Sequence, residues 1–193
     1  MPSEDTSFVR LVSLAVHDLR TPLATASGFA KTLERGGLEE PASRYVEIMV
    51  AACDQLAELL EDLGTVARID DGRWEPNVQE ANTRELATAA EAVAEGTVRV
   101  EGDGGPVRAD VEAAERALYN LARCAVRHGA LEELRVTADG DVITMTPVVP
   151  EAAPILLAEN LRDFGAAVAM RIVPALGGSV EIDGDRLIVR LPT

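Results

Sequence analysis

The sequence predicts an α+β chain in two parts: an N-terminal antiparallel helical hairpin over residues 1–72 and a C-terminal α/β sandwich over residues 73–193. Three observations predict it. Two long runs carry apolar residues at spacings of three and four, and Gly36-Gly37 separates them. After Trp74 the pattern changes to short strands alternating with helices. Two Asp-Gly-Asp turns, 139–141 and 183–185, punctuate that second half.

The first helix is expected from Glu4 to Arg35. Phe8, Leu11, Val12, Ala15, Leu19, Leu23, Ala26, Phe29 and Leu33 form its apolar stripe. Pro22 lies inside it and should kink it near Asp18, because proline removes one backbone hydrogen bond. A second helix runs from Ala42 to Ile69, with Tyr45, Ile48, Ala52, Leu56, Leu59, Leu63 and Val66 as its stripe. Two helices cannot bury both stripes alone, so the hairpin is expected to dimerise into a four-helix bundle.

In the second half, helices are expected over 83–94, 111–127 and 155–176, and a strand over 97–100 followed by a turn through Pro106. Two strand pairs, 134–138 with 142–146 and 179–182 with 186–191, fold across the Asp-Gly-Asp turns.

The chain is 47% hydrophobic and 26% charged, a globular profile, and only 3% aromatic, so Ala, Val, Leu and Ile must build the core. A net charge of −15 argues against nucleic acid, which needs clustered Lys and Arg. Cys53 and Cys124 each lie in an apolar helical run and are expected to be reduced, buried thiols with no metal. The N-terminus lacks a signal pattern and no run approaches the ~20 apolar residues of a span, so no membrane and a cytoplasmic location are expected.

The chemistry centres on His17-Asp18-Leu19-Arg20-Thr21-Pro22-Leu23. On a helix, Ser13, His17, Arg20, Thr21 and Ala24 share one face, apart from the apolar stripe, so His17 should point to solvent. An exposed imidazole can be neutral near pH 7 and act as a nucleophile. Asp18 can hold its tautomer and accept its proton, and the Thr21 hydroxyl can orient a water. Ala24, Thr25 and Gly28 are small and leave room for a partner.

That heptapeptide closely resembles the phosphoacceptor box of sensor histidine kinases, and residues 59–70 resemble the end of the family's second dimerisation helix. The resemblance implies that His17 is phosphorylated and that Asp18 and Thr21 fit the pattern associated with dephosphorylating response regulators. It also implies that the second half is of the histidine kinase ATPase type. The first nucleotide box resembles residues 116–128: Asn120 matches one asparagine, but Cys124 stands where the magnesium-binding asparagine is expected. A thiol is a poor magnesium ligand. No Asp-x-Gly-x-Gly motif follows residues 142–146, and 162–165 replace the Gly-rich loop, with Asp163 set against phosphates. The resemblance thus implies an ATPase fold lacking its nucleotide site. Asn120, Arg123 and Arg127 are read as structural, and His128 as a helix C-terminal residue whose cation suits the macrodipole.

The expected function is a histidine phosphotransferase of a two-component phosphorelay. It would be homodimeric, exchanging phosphate between His17 and the aspartate of a response regulator receiver domain. No cofactor is expected on this chain, and the regulator would supply Mg²⁺. The alternatives are a response-regulator phosphatase using Asp18 and Thr21, a non-catalytic dimeric adaptor or pseudokinase, and an active kinase, which would have to bind ATP.

Overall fold

The computed structural model describes the backbone of residues 4–193 and the side chains of Val12 and of residues 14–193. The chain divides into two compact units, 1–74 and 75–193.

In the first unit, α1 (Glu4–Arg35) runs unbroken through Pro22, and α2 (Ala42–Asp70) packs antiparallel against it. Pro22 removes the amide that would donate to the Asp18 carbonyl, yet the helix continues. Lys31 Nζ bridges the hairpin to Asp54 Oδ1 at 2.7 Å. Closer to His17, Val16 is buried, and a Cβ built on Gly64 would lie 3.3 Å from its Cγ1. A glycine in α2 therefore lets the helices approach closely beneath the box.

The expected stripes are largely uncovered in the single chain. Val16, Ala30 and Val46 are buried, while Leu19, Phe29, Leu33, Tyr45, Ile48, Leu56 and Leu59 are exposed. Most of the large residues are left uncovered in a single chain, Leu23, Leu63 and Val66 are half-buried, and the buried positions are mainly small or branched. The three-and-four spacing thus identified a face that two helices alone do not cover, as expected. The expected stripe residues Phe8 and Leu11 lie outside the described side chains.

The second unit is built on a five-stranded sheet. Its strands are β2 (Thr97–Gly104), β4 (Glu133–Asp139), β5 (Val142–Thr146), β6 (Ser179–Asp183) and β7 (Arg186–Arg190), in the order β2-β4-β5-β7-β6. Only β2 and β4 are parallel. A separate antiparallel pair joins β1 (Gln79–Asn82) to β3 (Pro106–Ala109). Both expected hairpins are present, and Gly140 and Gly184 supply the left-handed φ of +58° and +62° that their turns require. Strands alternate: Leu134, Val136, Ala138, Ile143, Met145, Leu187 and Val189 are buried on one face.

The helices α4 (Val111–Gly129) and α6 (Phe164–Ala175) pack on each other. Both start on an aspartate cap: Asp110 Oδ1 accepts from Ala113 N–H at 3.1 Å, and Asp163 Oδ1 from Ala166 N–H at 2.9 Å. Three expectations change here. The helix expected over 83–94 is a short α3 (Thr83–Ala87) that tightens to a 3₁₀ turn over 88–92. The helix expected over 155–176 is two, α5 (Ala153–Leu156) and α6, because Ala158 takes a left-handed φ of 55° between them. The turn expected through Pro106 opens into β3.

Candidate functional site

His17 is presented by the middle of α1, with its side chain 84% exposed. Its Nδ1 lies 3.2 Å from Asp18 Oδ1, a neighbour that is itself 68% exposed. If Nδ1 carries the ring proton, it donates to the carboxylate, and the lone pair of Nε2 faces solvent. Asp18 then fixes the tautomer and can take the Nδ1 proton once Nε2 has formed a bond.

Arg20, Thr21, Ala24, Thr25 and Gly28 are all exposed along the same helix. Arg20, Thr21, Ala24 and Thr25 line a shallow, open depression beside the histidine. The Thr25 hydroxyl donates to the Thr21 carbonyl at 3.1 Å and the Thr32 hydroxyl to the Gly28 carbonyl at 2.7 Å, so both threonines fold back onto the helix. Their hydroxyls are thus satisfied by the helix backbone. The structure places Arg20, Thr21, Ala24 and Thr25 together along the helix after His17, with Gly28 further on, and the Ser13 side chain lies outside the described residues.

The second unit holds another histidine–carboxylate contact, which the sequence reasoning missed. His128 Nε2 lies 3.3 Å from Asp163 Oδ2, with the two side chains 23% and 2% exposed. Asp163 does not project toward an open pocket, as its place in the sequence suggested: it is buried and caps α6. Cys124, one turn before His128 on α4, is fully buried. Burial, and then the Asp163 charge, push its thiol up to about 12 from 9.0, against a smaller opposing effect of Arg123 and Arg127. Asn120, a further turn back, is 4% exposed, with an Nδ2 that lacks a hydrogen-bond partner. Arg123 stacks 5.5 Å over the Tyr119 ring. The fourfold spacing of Asn120, Cys124 and His128 was the available signal, and only the fold adds Asp163 to it.

These residues fit magnesium-bound nucleotide poorly. Mg²⁺ takes hard oxygen ligands, and Cys124 offers a protonated, buried thiol. A buried carboxylate at the start of α6 occupies the helix terminus that would otherwise favour a phosphate.

Residues 9–72 match the family model of the His Kinase A (phospho-acceptor) domain. The chain is 30% identical over 150 residues to the sensor histidine kinase MtrB of Mycobacterium leprae, a match covering 71% of this chain and 27% of that protein. It is 28% identical over 156 residues to the sensor protein CseC of Streptomyces avermitilis, covering 80% of this chain and 30% of that one. The chain therefore spans less than a third of the length of these relatives. Among solved structures, full-length ShkA in complex with AMPPNP superposes with a TM-score of 0.69 at 22% identity, covering 95% of this chain and 45% of that one. The histidine kinase AdeS of Acinetobacter baumannii gives 0.57 at 17% identity, covering 91% and 97%. A hairpin that matches the phospho-acceptor domain model is thus followed by an α/β sheet domain whose fold resembles that of solved histidine kinases, and the relatives matched are sensor kinases. No helix among the described residues is long and apolar enough to cross a membrane.

Proposed function

We propose that this relative of the two-component histidine kinases is a homodimeric phosphotransfer protein that carries phosphate on His17 and does not use ATP. The observation that carries the proposal is a histidine, 84% exposed and in contact with Asp18, inside the segment that matches the phospho-acceptor domain. In the forward step, His17 Nε2 attacks the phosphorus of a receiver phosphoaspartate. An N–P bond forms as the acyl P–O bond breaks, the receiver carboxylate leaves, and the Nδ1 proton passes to Asp18. The reverse step returns the phosphoryl group to a second receiver. Catalysis is mostly positioning, and the receiver brings the Mg²⁺. The exposed Leu19, Phe29, Tyr45 and Ile48 support the homodimer, because a second copy would cover them. The misfit of Cys124 and Asp163 to magnesium and phosphate supports the absence of ATP chemistry.

The test mixes the purified chain with a phosphorylated receiver domain and looks for acid-labile, base-stable phosphate on this chain. We expect label on the wild type and none on His17→Ala. One specific observation favours a second reading, phosphatase action: Thr21 is exposed one turn beyond His17 and lines the depression beside it. Under that reading the receiver loses phosphate, no label appears on the chain, and Thr21→Ala is the damaging variant.

A further inference from the structure

We propose that Cys124, His128 and Asp163 form a binding site for a divalent transition metal of the zinc type. Sγ, an imidazole nitrogen and a carboxylate oxygen all lie within 4.8 Å of one another. These donors suit zinc, which takes thiolate, imidazole and carboxylate together, and they do not suit magnesium or calcium.

The elements hold the three donors for physical reasons. Cys124 and His128 are four residues apart on α4 and so share a face. Asp163 comes from the start of α6, which packs on α4. Its two oxygens are divided: Oδ1 is committed to the Ala166 amide at 2.9 Å, and Oδ2 lies 3.3 Å from His128 Nε2. The cap therefore orients the free oxygen toward the other two donors. Around a tetrahedral ion with ligands at ~2.0–2.3 Å, donors sit roughly 3–4 Å apart. The contraction needed from 4.8 Å is within the range of side-chain adjustment.

Burial and charge point the same way. Cys124 and Asp163 are buried, and half-buried His128 leaves an edge through which an ion can enter. Binding would release the Cys124 proton to solvent, and the resulting thiolate together with the Asp163 carboxylate would balance the ion's divalent charge. Three protein ligands leave the fourth position open. Asn120, one turn before Cys124, has a buried Nδ2 with no partner, a donor that an oxygen bound at the fourth position would satisfy. The proposal is independent of what His17 does.

The experiment uses the full, tag-free chain stripped with chelator and titrated with Co²⁺ alone. One equivalent per chain should produce a near-ultraviolet thiolate-to-cobalt band with intense visible bands of a tetrahedral ion, and Zn²⁺ should displace both. Cys124→Ser should remove the near-ultraviolet band and Cys53→Ser should keep it. His128→Gln spares the α6 cap and so tests the site without threatening the fold. It should weaken Co²⁺ binding by more than the roughly 10–100-fold that groups behind a ligand contribute. No band with the wild type, a band that survives Cys124→Ser, or unchanged affinity in His128→Gln would each overturn the proposal.

Discussion

The molecule contains two histidine–carboxylate pairs of nearly equal length and opposite setting. His17 and Asp18 meet at 3.2 Å with most of both side chains in water, and His128 and Asp163 meet at 3.3 Å with the carboxylate 2% exposed. In the exposed pair, solvent screens the charge, so the contact adds little to stability and leaves the imidazole accessible. In the buried pair the carboxylate also caps α6, so it holds the fold and is closed to a protein partner. The same two residue types therefore stand in opposite settings: one pair is open to a reacting partner, and in the other the carboxylate is committed to a helix cap.

The sharpest way to break that comparison is to remove each carboxylate in turn. Asp18→Asn keeps the size and loses the proton acceptor. If Asp18 assists the proton at His17, phosphoryl transfer from a receiver should slow on the order of 100-fold, the scale of general acid–base assistance. The urea unfolding midpoint should not move. A transfer rate within twofold of wild type would reduce Asp18 to a bystander. Asp163→Ala should do the reverse. Loss of the α6 cap and of the partner of His128 should cost about 1–2 kcal/mol in chelator-treated protein. Transfer at His17 should be unaffected. Equal effects of the two variants on stability would erase the distinction.

The two pairs also differ in how far the sequence revealed them. His17 and Asp18 are adjacent on one helix, so helical spacing gave the face and exposure of His17, and the chain itself put Asp18 beside it. Arg20, Thr21 and Ala24 followed by the same rule. His128 and Asp163 are 35 residues apart, and nothing local joins them. The break at Ala158 hid the link further, because a continuous helix over 155–176 would bury Asp163 mid-helix instead of placing it at a cap. Strand β1 was missed for a related reason. Gln79–Asn82 has no apolar alternation and is a strand through its pairing with β3. The hairpins at Gly140 and Gly184 were legible because their turns are local chemistry. Thr83 was not: it is fully buried and its hydroxyl donates to the Gly140 carbonyl at 2.7 Å, 57 residues away.

The smallest expected effect sharpens the picture of the first unit. Lys31, the only lysine in the chain, spans the hairpin to Asp54 with the side chains 41% and 52% exposed. A pair at that exposure should contribute roughly 0.2–1 kcal/mol and weaken with salt. A double-mutant cycle of Lys31→Met and Asp54→Asn, followed by urea unfolding at two salt concentrations, measures the coupling directly. The large apolar residues Phe29, Leu33 and Leu56 lie exposed close by in sequence, and a second copy seated on them would shield the pair from water. The coupling then reports on assembly. It should stay below about 1 kcal/mol at concentrations where the chain is monomeric and rise where it is dimeric, because removing water from a charge pair strengthens the interaction already made. A salt-sensitive value that does not change with protein concentration would place the pair outside the dimer contact and leave the uncovered apolar faces to meet elsewhere along the hairpin.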